Sequence, residues 1–164
     1  MLMALAATAK PYMLSFVVRP EGTLLDGTPL KSAIAAIDAA VTPRPLAYLI
    51  NCTHVSFAAS ALMHETNSST LVRHRMIGLL ANTAALRPEQ LNDSSSLVEE
   101  DPEIFGQSLA ALQRELGLKI LGGCCGTDDR HIRALAAQLA IQARRTNSAT
   151  QKTSRTSASI PRRK

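Results

Sequence analysis

The sequence predicts an α/β fold made of four successive strand–helix units. Four short apolar runs begin roughly 30 to 40 residues apart, and each is followed by a segment with helical periodicity. Alternation of this kind predicts parallel strands joined by right-handed helical crossovers. The composition agrees, because 46% of the residues are hydrophobic but only 3% are aromatic, which is typical of an aliphatic α/β core. The pattern by itself allows either a small open doubly wound sheet or part of a closed barrel.

The strands are predicted where apolar runs end at turn or loop residues. Residues 12–18 form a near-continuous apolar run, which is typical of a strand covered on both faces. The four predicted strands are 12–18, 46–51, 76–81 and 118–121. Thr28 and Pro29 are predicted to be the N-cap and the first residue of a helix, because threonine caps helices and proline suits their first turn. The other predicted helices are 55–64, 102–116 and 128–143.

A glycine-rich turn with two adjacent cysteines follows the fourth predicted strand. The sequence Gly-Gly-Cys-Cys-Gly-Thr occupies residues 122–127. In a regular strand Cys124 and Cys125 would point to opposite faces, but the flanking glycines allow a turn that directs both sulfurs to one point. Thr127 is predicted to cap a helix that starts at Asp128. Two convergent thiols indicate a soft-metal site, although free cysteines also pack as small hydrophobic side chains.

Cys52 directly follows the second predicted strand, so it too is expected at the carboxyl end of a strand. On its own, Cys52 is best interpreted as a small buried hydrophobic side chain. Together with Cys124 and Cys125 it would supply three thiolates and leave one coordination position open. That arrangement is typical of catalytic zinc, because structural zinc sites are normally closed by four protein ligands.

Three segments of the chain resemble the homocysteine S-methyltransferase family in residues, order and spacing. They read Ile-Asn-Cys-Thr-His at 50–54, Gly-Leu-Leu-Ala-Asn at 78–82 and Ile-Leu-Gly-Gly-Cys-Cys-Gly-Thr at 120–127, within a stretch from about residue 11 to residue 139. The resemblance implies a (β/α)8 TIM barrel. This chain resembles its second half, because a complete barrel takes about 250 residues and the chain has 164.

The resemblance also implies a function and its site residues. One Zn²⁺ would be bound by Cys52, Cys124 and Cys125 and would hold homocysteine as a thiolate. The homocysteine thiolate would accept a methyl group and become methionine. The expected donors are S-methylmethionine or S-adenosylmethionine, which carry the methyl group on a positive sulfur. The alternative expectation is a catalytically incomplete zinc-binding half-barrel, which needs a complementing half or forms a homo-oligomer because its edges are open.

An asparagine and several histidines are weaker candidates for the site. Asn82 follows the third predicted strand, where an asparagine commonly bonds loop backbone groups. By resemblance it could instead lend its oxygen to the zinc until the substrate thiol displaces it. His54 could be a ligand because imidazole suits zinc, but the family does not use it. His131 is expected to hydrogen-bond locally, and His64 and His74 are expected at the surface.

The net charge of +5 comes from the end of the chain. Seven lysines and arginines lie from residue 144 onward without any acidic residue, and removing them takes the net charge to −2. Residues 146–164 are therefore predicted to be a disordered basic tail, and residues 1–145 a partial barrel domain. Nucleic-acid binding is not expected, because no aromatic side chains accompany the charge. The odd cysteine count and the absence of a long apolar stretch favour a cytoplasmic protein without a membrane span.

Overall fold

The computed structural model describes residues 2–87, 89–90 and 99–157, with residues 147–157 as backbone only. These ranges contain four strands and the helices that alternate with them. The elements are α1 (Leu2–Ala7), β1 (Leu14–Phe16), α2 (Leu30–Ala40), β2 (Tyr48–His54), α3 (Val55–Met63), a 3-10 turn (Glu65–Asn67), α4 (Thr70–Arg75), β3 (Met76–Asn82), α5 (Pro102–Leu116), β4 (Ile120–Gly123) and α6 (Asp129–Ser157).

The four strands form one parallel sheet in the order β1-β2-β3-β4. Each strand is therefore hydrogen-bonded to its neighbour in the sequence, with helical connections between them. The predicted α/β class with four parallel strand–helix units is confirmed, and the sheet is consistent with part of a TIM barrel. Because the strands are parallel, their carboxyl ends all lie at the same end of the sheet. Barrel enzymes build their active sites at this end.

The core lies between the sheet and the helices that cover it. The largest fully buried apolar side chains come from both layers, and they include Tyr48, Ile50 and Leu79 from the sheet and Ile34 and Phe105 from the helices. Aliphatic packing of this kind fixes the strands and so the positions of the loops that follow them.

A charged network fixes the amino-terminal end of β2. Asp38 accepts hydrogen bonds from Tyr48 Oη at 2.8 Å and from Arg75 Nε and Nη2 at 2.8 and 2.7 Å. The Arg75 guanidinium also lies 5.2 Å from the centre of the Tyr48 ring. These contacts join α2, β2 and α4 at the end of the sheet opposite the cysteines.

Several element boundaries differ from the sequence prediction. Strand β1 is limited to Leu14–Phe16, whereas β2 continues to His54 and β4 to Gly123. Helix α2 begins at Leu30, because Pro29 has an extended ψ of 136° and occupies the N-cap position predicted for Thr28. The predicted helix at 102–116 is confirmed, with Asp101 as its N-cap.

The last helix begins and ends later than predicted. Asp128, rather than Thr127, accepts the hydrogen bond from Arg130 N at 2.9 Å and caps the helix. The helix continues to Ser157, into the segment predicted as a basic tail, and the disorder of that tail stays a prediction. Thr, Ser and Asn predominate in residues 146–157 and are weak helix formers, so the extension follows from the lower cost of continuing a helix that has already formed. Residues 158–164 lie outside the described residues, and the domain boundary after residue 145 stays a prediction.

Within the described ranges, none of the helices combines the length and the apolar character needed to cross a membrane.

Candidate metal centre

The structure brings together the three cysteines that the sequence analysis selected. The Sγ atom of Cys52 lies 2.9 Å from that of Cys124 and 3.4 Å from that of Cys125, and the latter two are 3.9 Å apart. Cys52 belongs to β2, whereas Cys124 and Cys125 follow β4, so the cluster spans the intervening strand β3. Among the described residues, a metal ion could be held where at least three acidic, histidine or cysteine side chains lie close together, and these three cysteines meet that condition.

Cys52 reaches the cluster from a β-bulge inside β2, not from the end of the strand as predicted. Asn51 and Thr53 are aligned with the consecutive residues Leu80 and Ala81 of β3, so Cys52 is the extra residue of the bulge. Its φ of 49° lies in the left-handed region, which a non-glycine residue adopts at a cost of about 1–3 kcal/mol. Such strain is found where a side chain must be redirected. Here the bulge interrupts the alternation of side chains between the two faces of β2 at Cys52.

Backbone hydrogen bonds hold the turn that carries the other two cysteines. Cys124 N donates to Ala81 O at 2.7 Å, and Thr83 N donates to Cys125 O at 3.2 Å, so the turn continues the pairing between β3 and β4. Thr127 donates twice to Cys124 O, from its backbone N at 3.2 Å and from Oγ1 at 2.7 Å. Gly126 adopts a positive φ of 79°, which completes the turn and confirms the need for glycine there.

The thiols influence one another because they are close and partly buried. Burial raises the pKa of Cys52 to about 12, and hydrogen bonds to Cys124 and Cys125 act in the same direction. Burial also acts to raise the pKa of Cys124, but hydrogen bonds from Cys52 and from the Cys125 backbone outweigh it and lower the pKa. Of these two thiols, Cys124 is therefore the one that loses its proton more readily, and its sulfur is the acceptor of the hydrogen bond from Cys52.

The sulfur geometry fits one metal ion. A circle through three atoms with these separations has a radius of about 2.0 Å, which is less than the zinc–sulfur distance of about 2.3 Å. One ion can therefore contact all three sulfurs from one side of their plane, and its other side stays open. Cys125 is exposed, whereas Cys52 and Cys124 are half-buried, so the cluster is accessible to a small molecule.

Asn82 ends β3 between the cysteine-bearing strands. It is aligned with His54 of β2 and is only 1% exposed. Its Oδ1 atom has no hydrogen-bond partner among the described residues. The sequence analysis left two roles open for Asn82, and both remain predictions. A buried oxygen of this kind fits a group that is not part of the chain.

The structure does not bring His54 into the sulfur cluster. Its Nδ1 atom accepts a hydrogen bond from Ser56 N at 3.3 Å and lies 2.8 Å from Ser56 Oγ, so the ring caps α3. His64 makes the same kind of contact with Thr66 and caps the 3-10 turn. The prediction of a surface position is confirmed for the exposed His74, whereas His64 is half-buried.

His131 makes the local contact that the sequence predicted and a distant one that it did not. Its Nδ1 atom lies 2.9 Å from Asp128 Oδ1, whereas Nε2 lies 3.1 Å from the carbonyl oxygen of Glu100. Glu100 Oε1 in turn lies 3.5 Å from His54 Nε2. Sequence analysis missed Glu100, because an acidic residue in a polar loop gives no signal of a contact with a residue so distant in the chain.

The parallel sheet and the sulfur cluster define an α/β protein with a candidate metal centre at the carboxyl ends of its strands. The sequence model described as homocysteine S-methyltransferase matches residues 1–139, and the chain belongs to this family. The family predicted from the three motifs is therefore confirmed.

Two relatives are named methionine synthase, one from Mycobacterium leprae (strain TN) and one from Mycobacterium tuberculosis (strain ATCC 25618 / H37Rv). Each is 28% identical to this chain over 130 residues, which is 79% of the chain and 10% of the relative. The chain thus spans about a tenth of the length of the curated relatives that it matches.

Proposed function

We propose that the chain supplies a zinc centre for methyl transfer to the thiol of homocysteine, which gives methionine. The observation that carries this proposal is the convergence of three cysteine sulfurs, all within 4.8 Å of one another, at the carboxyl ends of the strands. Membership of the homocysteine S-methyltransferase family supports the substrate. The three free thiols also support a reducing compartment, for which we propose the cytoplasm.

Cys52, Cys124 and Cys125 would bind the zinc as thiolates. When bound, zinc supplies Lewis acidity that keeps a coordinated substrate thiol deprotonated near neutral pH. The exposed side of the cluster, next to Cys125, leaves room for the substrate sulfur. Asn82 ends the strand between the cysteine-bearing strands with a buried, unpartnered Oδ1, and we assign to this oxygen a further contact that would help to hold the zinc before substrate binds.

In the transfer step, the homocysteine sulfur forms a bond to the methyl carbon of the donor. The bond between that carbon and the donor's sulfonium sulfur breaks, and its electron pair stays on the donor sulfur. S-methylmethionine would thereby give a second methionine, and S-adenosylmethionine would give S-adenosylhomocysteine. We propose a sulfonium donor of this class.

Metal analysis of cysteine variants tests the proposal. Replacing Cys52, Cys124 or Cys125 by Ala should each lower bound zinc sharply, because two thiolates hold the ion poorly. His74→Ala is the matched control, since it removes an exposed potential zinc ligand that lies outside the cluster, and it should leave the zinc content unchanged. Full zinc in the Cys124→Ala, Cys125→Ala double variant would refute the proposed centre.

A second candidate function is that of a half-barrel that needs a partner for catalysis. The strands β1 and β4 form the two edges of the sheet, and the apolar side chains of Met13, Leu25 and Leu46 are exposed at 44%, 50% and 63%. Open edges and exposed apolar surface favour association with a complementing half or with a second copy. Methionine formation by a monodisperse 17.6 kDa monomer would contradict this candidate and would leave the zinc centre intact.

A further inference from the structure

A buried histidine, His131, contacts both the segment that follows the cysteine turn and the loop that precedes α5. We propose that His131 is a positioning residue, which holds the turn of Cys124 and Cys125 in register with Cys52 through contacts with Asp128 and Glu100. This inference rests on the proposed metal centre, because it assigns a positioning group to the same three thiols. It adds a residue that does not contact the sulfur atoms.

The surroundings of His131 satisfy both of its ring nitrogens. The side chain is fully buried, and its ring meets the Phe105 ring edge-on with 5.4 Å between the ring centres. Nδ1 accepts from Asp128 N at 3.2 Å and lies 2.9 Å from Asp128 Oδ1, and Nε2 donates to the carbonyl oxygen of Glu100 at 3.1 Å. Burying an imidazole is unfavourable unless its nitrogens find partners, and here the partners belong to two different loops. The ring is therefore a bridge between these loops.

One side of the bridge ends at the cysteine turn. Asp128 lies three residues after Cys125, and its carboxylate also accepts the hydrogen bond from Arg130 N that caps α6. The contact with the His131 ring, followed by the hydrogen bonds from Arg130, holds the pKa of Asp128 far below its usual range. The carboxylate thus stays charged at neutral pH. It fixes the start of α6 directly after the turn, next to the two hydrogen bonds from Thr127 to Cys124 O.

The other side of the bridge leads to the strand that carries Cys52. Glu100 accepts from His131 through its backbone carbonyl, and its carboxylate faces His54 at 3.5 Å. His54 is the last residue of β2 and lies two residues after Cys52. Its Nδ1 accepts from Ser56 N, and its Nε2 has no hydrogen-bond partner among the described residues, so Nε2 and the Glu100 carboxylate are in close approach at 3.5 Å without a hydrogen bond. The contacts run from Asp128 through His131 to Glu100 and on to His54, and the cysteines lie close to both ends in the sequence.

Packing alone does not require a polar side chain at this position. Helices α5 and α6 already approach so closely that a Cβ on Gly106 would lie 2.8 Å from the backbone of Ala134 and Leu135. A leucine in place of His131 would preserve an apolar contact with Phe105 between these helices. It would lose both hydrogen bonds, so the polar contacts can be tested separately from the packing.

The experiment compares Co²⁺ binding by the full chain with that of the variants His131→Leu and Asp128→Asn. Asparagine caps helices as well as aspartate, so Asp128→Asn keeps the cap and removes the charge that faces His131. We expect His131→Leu to weaken Co²⁺ binding about 10- to 100-fold, as is usual for groups that orient metal ligands, and to change the cobalt absorption bands. Asp128→Asn should act in the same direction with a smaller change.

Two further measurements separate positioning from loss of stability. Val72→Ala removes buried carbon from α4, at the opposite end of the sheet, and should lower the melting temperature without changing Co²⁺ binding. Dibromobimane, which becomes fluorescent when it bridges two nearby thiols, reports the closeness of the cysteines without any metal. We expect it to react several-fold more slowly with metal-free His131→Leu and Asp128→Asn than with the unchanged chain.

The outcomes distinguish this inference from the proposed function. If both variants keep the wild-type Co²⁺ affinity and bridging rate, the inference about His131 is wrong and the proposed metal centre is unaffected. The same holds if Val72→Ala loses as much Co²⁺ affinity as the two variants do. If His131→Leu does not fold, Asp128→Asn decides by the same criteria. A chain that binds no Co²⁺ but is bridged more slowly after Asp128→Asn would refute the metal centre and support the positioning role.

Discussion

The turn between β4 and α6 leaves no room for a side chain at Gly123. A Cβ added there would lie 2.6 Å from Thr127 Cβ and closer still to Thr127 Oγ1, whereas ordinary contacts begin at 3.4 Å. Rotating the Thr127 side chain does not help, because its Cβ is itself too close. The variant Gly123→Ala must therefore move this turn by about 0.8 Å, at the 1–3 kcal/mol that is typical of overpacking.

This displacement should reach the sulfur cluster. Thr127 bonds Cys124 O through both its backbone N and its Oγ1, so moving Thr127 moves Cys124. We expect Gly123→Ala to weaken zinc binding by about 10-fold or more, because the groups that orient metal ligands typically contribute that much. Competition with a chromophoric chelator measures the affinity, and thermal unfolding of the metal-free chain measures the stability.

The neighbouring glycine provides the matched control. A Cβ on Gly122 would meet only a terminal methyl of Leu80 at 3.0 Å, and that flexible side chain can move aside. Gly122→Ala should therefore keep most of the zinc affinity. The double variant Gly123→Ala, Thr127→Gly removes the obstructing atoms. Its loss of zinc affinity should therefore be smaller than the sum of the losses in the two single variants. Wild-type affinity in Gly123→Ala, or an equal loss in Gly122→Ala, would refute the reasoning.

Three further predictions concern the rest of the chain. Asp38→Asn should lower the free energy of unfolding by about 2 kcal/mol, because it leaves the half-buried Arg75 without its charged partner. Burial acts to raise the pKa of Asp38, but hydrogen bonds from Arg75 and Tyr48 outweigh it and lower the pKa. The ion pair therefore stabilises the fold fully above the unfolded-state pKa of about 3.9, and this stabilisation is lost as the pH falls through the lower pKa that Asp38 has in the folded chain. Urea unfolding at a series of pH values measures this loss, which should be absent in Asp38→Asn. Asn82→Ala should change the cobalt absorption bands more than the amount of metal bound, and equal spectra would contradict its assigned contact. Deleting residues 146–164 should leave zinc binding unchanged, because the truncated helix keeps Gln142 and its hydrogen bond to Ala110 O. A lower zinc content after truncation would contradict this prediction.

The order and type of the main elements could be predicted from the sequence, because buried strands and amphipathic helices have different apolar periods. The boundaries were less accurate where hydrogen bonding between distant segments decides them. Strand β2 continues past Cys52 to His54 because β3 offers partners up to Asn82. Helix α6 continues to Ser157, since extending a helix that has already formed costs less than starting a new one.

By itself, the sequence determined the family, the α/β class and the three cysteines, because glycine-flanked thiols after apolar strands are local features of the chain. Only the tertiary structure decided how the sulfurs meet. The bulge that redirects Cys52 depends on the register between β2 and β3, and the partners of His131 depend on a loop 31 residues away. Contacts of this kind leave no periodic trace, since they arise from the way separate elements pack together.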